Sequence, residues 1–403
     1  MSPRPNSKLG ILFSLSLTGF LAVLATSCIS RSVPIPQTPT SLPTSVFEKP
    51  PIQATLTVSP QSDFLACCAS ARDCNASRCC SAQKPGLPFG DSLKNTHILY
   101  QAYNQELTPR PGVIFDKEQI WVISVEDGSQ RLVLNGGSSL GIAFLRDGYH
   151  FVLVAVDSQV LVSDLSGDIP NSLTSTSPYL NDFLPYTPIW SLLADRNQYP
   201  QKDDPGLGRV HSPDDKHIAI FRIGDPSLVI LDRADNSTTE VIKTGEHDSI
   251  GGNWSPDGKA YSFSVFRDIQ DYYSEVYVVS SDGTDLRRLT EPMEKVHAFA
   301  PKWSPDGKKV AFQAFLDYEK SKWPHEAFGI IDMDSGQVRM FSTGLSTQSS
   351  LMREGDFIWS PDSEWIAYLT SWGQVDILAL NAESGEIYCV TNDKLVEQII
   401  DWK

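Results

Sequence analysis

Cations are scarce in this chain: 33 Lys plus Arg stand against 49 Asp plus Glu in 403 residues, a net charge of −16. Nucleic-acid binding needs a basic stripe that neutralises phosphates, and nothing of that kind is present, so this partner class is excluded. Cysteine is missing from the whole of 81–388, and no two cysteines have the two-residue spacing of a structural zinc site. Also missing is the twelve-residue spacing with a terminal Glu that a dedicated calcium loop requires. The Asp-rich stretches Asp282-Gly283-Thr284-Asp285 and Asp332-Met333-Asp334 read as hairpin turns instead. No metal and no cofactor is expected.

What is present at the N-terminus reads as an export signal. Arg4 and Lys8 lead into Leu9–Ala25, an apolar stretch without charge, and small residues then run up to Cys28. The ending Leu24-Ala25-Thr26-Ser27-Cys28 resembles a bacterial lipobox, although Ala25 occupies the place where Leu is preferred. The resemblance implies a signal peptide over 1–27, a lipid on Cys28 and a chain anchored outside the cytoplasm, in the periplasm or at the cell surface. Residues 28–95 then form a tether, read as a disordered stalk, because Pro34, Pro36, Pro39, Pro43, Pro50, Pro51 and Pro60 interrupt a polar sequence.

Within that tether Cys67, Cys68, Cys74, Cys79 and Cys80 crowd together, and Cys389 stands far away. In an oxidising compartment these thiols read as a disulfide framework, with a bond to Cys389 or to another chain for an odd member. A soft-metal or iron–sulfur site is the competing reading, since closely spaced thiolates chelate such ions.

The remainder is organised by one phrase: His211-Ser-Pro-Asp-Asp-Lys216, Trp254-Ser-Pro-Asp-Gly-Lys259, Trp303-Ser-Pro-Asp-Gly-Lys308 and Trp359-Ser-Pro-Asp-Ser-Glu364. A weaker copy is Phe144-Leu-Arg-Asp-Gly148, and a truncated one is Trp402-Lys403. The copies recur 43 to 67 residues apart, each followed by short alternating strands and a Gly or Asn turn. Units of roughly 40–50 residues made of β-segments predict a propeller, one blade per repeat. Pro presets the first turn position, Asp accepts backbone hydrogen bonds, Gly takes the left-handed position, and Trp is a plate that wedges between blades.

Strands over His97–Tyr103, Gln119–Val125 and Arg131–Leu134 repeat the same order without an opening strand, while Gln398–Trp402 is an opening strand with nothing after it. Openings and turns balance if the C-terminal strand joins the first blade. The fold class predicted is therefore all-β, a six-bladed β-propeller over 96–403 closed by its C-terminal strand.

The repeat resembles that of the TolB-like propellers, over about three quarters of the chain. The resemblance implies the fold closely and the function loosely: such propellers occur as protein-binding platforms, cell-surface lipoproteins and non-catalytic halves of prolyl oligopeptidases. The segment 28–95 does not supply the α/β domain that precedes the propeller of TolB itself.

Candidate site residues follow from the loops that enter each innermost strand, which converge at one mouth of the channel. They carry Asp203-Asp204, His247, Asp248, His297, Arg353, Glu354 and Glu397. Lyases with related propellers hold a metal through channel histidines, which draws attention to His247 and His297. Gly137-Ser-Ser139-Leu-Gly141 has the hydrolase-elbow spacing but joins two strands rather than a strand to a helix, so no catalytic residue is assigned. The expected function is a non-enzymatic module that binds an envelope protein or a glycan. The alternative is a channel-site hydrolase or lyase, metal-dependent in one form, acting on a carbohydrate or peptide. Asp317–Glu326, with Trp323, reads as an exposed hairpin extension and a contact patch.

Overall fold

The computed structural model describes residues 54–55, 89–103, 118–135, 139–145, 148–155, 160–166, 171–172, 207–222, 227–243, 252–268, 273–290, 296–316, 325–346, 357–369, 376–391 and 396–403. The chain divides into Met1–Ser45 and Val46–Lys403, and every described residue lies in the second unit. The signal segment, Cys28, and the five cysteines between 67 and 80 fall outside the described residues. No helix among those residues is long and apolar enough to cross a membrane.

Twenty-five strands and one 3-10 turn, Asp91–Leu93, make up the described structure. In chain order they begin with β1 (Ala54–Thr55), β2 (His97–Tyr103), β3 (Glu118–Ser124) and β4 (Gln130–Asn135). Next come β5 (Ser139–Phe144), β6 (His150–Ala155), β7 (Val160–Asp164) and β8 (Asn171–Ser172), then β9 (Leu207–His211), β10 (His217–Arg222), β11 (Ser227–Asp232) and β12 (Thr238–Lys243). They continue with β13 (Gly252–Trp254), β14 (Ala260–Asp268), β15 (Tyr273–Ser280) and β16 (Arg287–Arg288), followed by β17 (Val296–Trp303), β18 (Lys309–Leu316), β19 (His325–Asp332) and β20 (Val338–Ser346). The last are β21 (Phe357–Trp359), β22 (Trp365–Leu369), β23 (Ile377–Asn381), β24 (Ile387–Cys389) and β25 (Val396–Trp402).

These form six antiparallel sheets: sheet I is β25-β2-β3-β4, sheet II β5-β6-β7-β8, sheet III β9-β10-β11-β12, sheet IV β13-β14-β15-β16, sheet V β17-β18-β19-β20, and sheet VI β21-β22-β23-β24. The last strand of the chain therefore lies beside β2, with Trp402 opposite Ile98 and Val396 opposite Tyr103. Beyond β20, sheet V carries β1 as a fifth strand, paired in parallel.

The repeated phrase is the turn between the first and second strand of a sheet. In sheet IV the Ser255 hydroxyl donates to Asp257 at 2.7 Å, and the Ala260 amide donates to Ser255 Oγ at 3.0 Å. The Gly258 amide closes the turn on the Ser255 carbonyl at 2.9 Å, with Gly258 at φ +70°. The same bonds recur at Ser212–Asp214, Ser304–Asp306 and Ser360–Asp362. Desolvation works against it, but the bonds from Ser255 and Lys259 hold the Asp257 carboxyl below the usual carboxylate range.

Burial joins the sheets face to face. Leu99, Val122, Phe144 and Phe151 connect I to II. Ile230, Trp254 and Phe263 connect III to IV, and Val278, Phe312 and Met340 connect IV to V. Phe328, Phe341, Phe357 and Tyr368 connect V to VI, and Trp365, Ile377, Tyr100 and Trp402 connect VI to I. The stretch 173–206, which links sheet II to sheet III along the chain, lies outside the described residues.

The motif tryptophans do more than fill space. Trp254 Nε1 donates to the Val210 carbonyl of sheet III at 2.8 Å, and Trp359 Nε1 to the Lys302 carbonyl of sheet V at 3.1 Å. Each indole thus bonds to the residue just before the preceding sheet's motif aromatic. Trp402 uses Thr96 Oγ1 instead, at 3.1 Å, and Trp303 Nε1 is buried without a partner.

Part of the segment read as a tether packs on the sheets. The Phe89 ring meets Trp365 edge-on at 4.9 Å and Trp402 at 5.4 Å. Leu93 is fully buried, and Ser92 Oγ donates to Asp362 at 2.7 Å. The folded body therefore begins at least as early as Phe89.

Candidate functional site

Of the residues expected at the channel mouth, His247, Asp248, Arg353 and Glu354 lie outside the described residues, as do Asp203 and Asp204. Glu397 is in β25, paired with Ala102 of β2. His297 is in β17, opposite Phe315 of β18, and can be placed in full. The described residues thus do not bring these candidates together as one constellation, and among them no group of three or more His, Cys, Asp and Glu is arranged to hold a metal ion.

His297 packs against aromatic rings and bonds to a neighbouring sheet. Its ring lies 4.9 Å from the Phe299 ring and 5.8 Å from the Phe315 ring, nearly parallel to the latter. Nδ1 is 2.8 Å from Ser274 Oγ of β15, in sheet IV. The Ser274 hydroxyl donates to the Ala298 carbonyl, so Oγ is the acceptor and Nδ1 carries the hydrogen. Burial lowers the imidazole pKa from 6.5 to about 4, which keeps the ring neutral at neutral pH.

This has a pH consequence. The unfolded chain protonates His297 near pH 6.5 and the folded one only near 4, so in that window the unfolded state binds more protons. Stability therefore falls as pH drops from 6.5 to 4, by up to about 1.4 kcal/mol per pH unit from this residue alone. A His297→Phe variant, followed by urea unfolding from pH 7 to pH 4, is expected to lose that share of the slope. An unchanged slope would contradict the assignment.

Next to Ser274 in sequence, Glu275 is buried on β15, where it accepts from the Tyr277 hydroxyl at 2.6 Å and from Arg288 at 3.4 Å. Ser274 and Glu275 lie near the start of a strand whose middle, Val276–Val279, is apolar or aromatic. The Tyr273-Ser-Glu275 start was the signal available in the sequence.

Opposite charges occupy one repeat position on β17 and β25. Lys302 precedes Trp303, and Asp401 precedes Trp402. Lys302 Nζ donates to the Phe357 carbonyl at 2.6 Å and lies 5.0 Å from the Phe357 ring centroid. Asp401 accepts from the Phe144 amide at 3.2 Å and from the Trp402 amide at 2.9 Å. Burial raises the Asp401 pKa, while Lys403, the backbone bonds and Lys302 act in the opposite direction. Each charged side chain reaches across to the first strand of the next sheet, β21 for Lys302 and β5 for Asp401. The residue before each motif aromatic was the place to look.

Sheet III departs from the repeat at two positions at once. His211 replaces Trp, and Asp215 replaces Gly at φ +57°. The two substitutions meet, with His211 Nδ1 2.8 Å from Asp215 Oδ1, and Arg233 grips the other carboxylate oxygen. Arg233 also donates to the Asp215 carbonyl at 3.0 Å. The cluster supports a backbone conformation that a non-glycine residue adopts at a cost.

Cys389 is in β24 and packs against the cluster between sheets V and VI. Most of the expected contact patch cannot be placed, because the stretch 317–324, with Trp323, lies outside the described residues.

No family model matches this chain, and no curated protein matches it. Solved structures with distant likeness include TolB from Acinetobacter baumannii, 18% identical with a TM-score of 0.45, covering 74% of this chain and 66% of that one. A protein assigned as TolB from Agrobacterium tumefaciens is 16% identical with a TM-score of 0.40, covering 70% of this chain and 98% of that one. An oligogalacturonate lyase in complex with manganese is 12% identical with a TM-score of 0.38, covering 67% and 70%. These likenesses are too distant to bear on activity.

Proposed function

We propose that this chain is an exported, lipid-anchored β-propeller that binds a protein or a glycan at the cell envelope without covalent chemistry. In this reading residues 1–27 are the signal peptide, Cys28 carries the lipid, and 28–95 contains the tether with its cysteines. The body is a six-bladed ring, sheets I to VI being the blades and β25 the closing strand. Support comes from the order of the six sheets and from the five faces that join successive ones. The cysteine cluster forms a disulfide framework that includes Cys389. This is supported by the crowding of five thiols within 67–80 in a chain read as exported, where disulfides persist.

The observation that favours binding over catalysis is the state of His297. It is buried, its ring packs against Phe299 and Phe315, and Nδ1 bonds to Ser274, which suits a packing side chain better than one open to a substrate. A rigid disc presenting variable loops on one face suits recognition, and the acidic balance favours a cationic or polar partner surface.

One purified sample tests both halves. Mass spectrometry is expected to find a mature chain beginning at acylated Cys28, and elemental analysis to find no stoichiometric metal in the wild type. An unmodified Cys28 would remove the anchor. One equivalent of metal, lost in the H247A/H297A double variant, would replace the binding module by a metal-dependent enzyme.

A further inference from the structure

The outer rim of the sheets is uneven. β8 and β16 have two residues each, β24 three, and β4 and β12 six, whereas β20 has nine. A long outermost strand leaves a row of unpaired backbone amides and carbonyls, ready to pair with any extended chain. On this edge alone among the described residues an added strand is seated: Ala54 pairs with Val338 and Thr55 with Arg339, in parallel.

The sequence around that contact is built as a strand. Between Pro51 and Pro60 it reads Ile52-Gln-Ala-Thr-Leu-Thr-Val58, apolar at 52, 54, 56 and 58 and polar at 53, 55 and 57. Strict alternation of this kind marks a strand with one covered face. The two prolines delimit it, because neither can donate to a ladder. Continued in the observed register, position 56 falls opposite Met340 and position 58 opposite Ser342. Val338 and Met340 are both buried and belong to the core shared by sheets IV and V, so the apolar positions fall on the same face as that core. Position 55 falls instead beside Arg339, which is paired with Glu383 of sheet VI.

We propose that the outer edge of β20 is a docking site for an extended strand, and that its occupant is this chain's own Ile52–Val58. Main-chain hydrogen bonds supply the affinity and the alternating side chains supply the register. The docked strand shields the longest free edge of the disc. It also fixes where the tether leaves the body.

The inference is independent of what the loop face binds, so its failure would leave the binding reading untouched. The test uses the full chain with Ala54→Pro and Leu56→Pro, which remove two strand amides outside the six sheets. Hydrogen exchange of the segment 338–346 is expected to speed up by about tenfold or more, with the other outer strands unchanged. Adding a synthetic peptide of residues 51–59 is expected to restore protection, and a scrambled peptide to leave it unrestored. If the prolines unfold the chain, deletion of residues 50–60 gives the same readout. Unchanged exchange in the variants would overturn the proposal. So would protection in the wild type that appears only as protein concentration rises, which would make a second copy the occupant.

Discussion

Replacing Trp402 by Ala is expected to cost about 3–5 kcal/mol of unfolding free energy, the range for a buried Trp cut to Ala. Trp402 is 2% exposed, and the stretch 89–103, from the other end of the folded body, meets it at three points. Its strand pairs with β2, its indole nitrogen reaches Thr96, and its ring receives the edge of Phe89. Truncation leaves a cavity between sheets VI and I, where residues from the beginning and the end of the folded body share one core. Trp303 is the internal comparison, because its indole nitrogen has no partner and its ring is only partly buried. Trp303→Ala is therefore expected to cost less. Equal losses in guanidinium unfolding would show that Trp402 is one wedge among several and not a joint between the chain ends.

The second large effect is expected at Gly329, and it arises from space rather than from backbone conformation. Gly329 lies directly across from Phe312 in the β18–β19 pair, and a Cβ on it would fall within the Phe312 ring. Phe312 is 1% exposed and has nowhere to turn. Gly329→Ala is expected to destabilise by about 1–3 kcal/mol and Gly329→Val by more, as overpacking does in a filled core. Phe312→Leu opens the space, so Gly329→Ala made in that background is expected to cost less than about 1 kcal/mol. Costs that simply add, within about 0.5 kcal/mol, would mean the ring is not the obstacle.

Much of the body was legible because its information is local. A Ser-Pro-Asp-Gly phrase carries its own hydrogen bonds, so the turns at Ser212, Ser255, Ser304 and Ser360 could be read without knowing their neighbours. Strand alternation likewise located β10, β14, β18 and β22 to within a residue or two. What was not legible depends on contacts across sheets. Ser274 looks like any strand serine until His297 is placed against it. The pairing of His211 with Asp215 and Arg233 was hidden because Arg233 stands 18 residues beyond Asp215, outside the repeated phrase. Lys302 and Asp401 occupy one repeat position with opposite charge, but only the fold shows each reaching to the first strand of the next sheet.

The N-terminal segment shows the same division. Prolines and polar residues made 28–95 read as tether throughout, and composition has no means of showing that Phe89 fits between two tryptophans far along the chain. The alternation at 52–58 was present in the sequence. Its weight came only when two of its residues were found beside β20.

The account rests on the last strand of the chain belonging to the same sheet as β2. Hydrogen exchange of residues 98–102, compared between wild type and Trp402→Ala under conditions where both remain folded, tests this most directly. Faster exchange in β2 and β25 together, with β14 and β18 unaffected, is the expected result. Slow exchange in β2 that is indifferent to the substitution would contradict it, because β2 would then be protected by something other than the C-terminal strand.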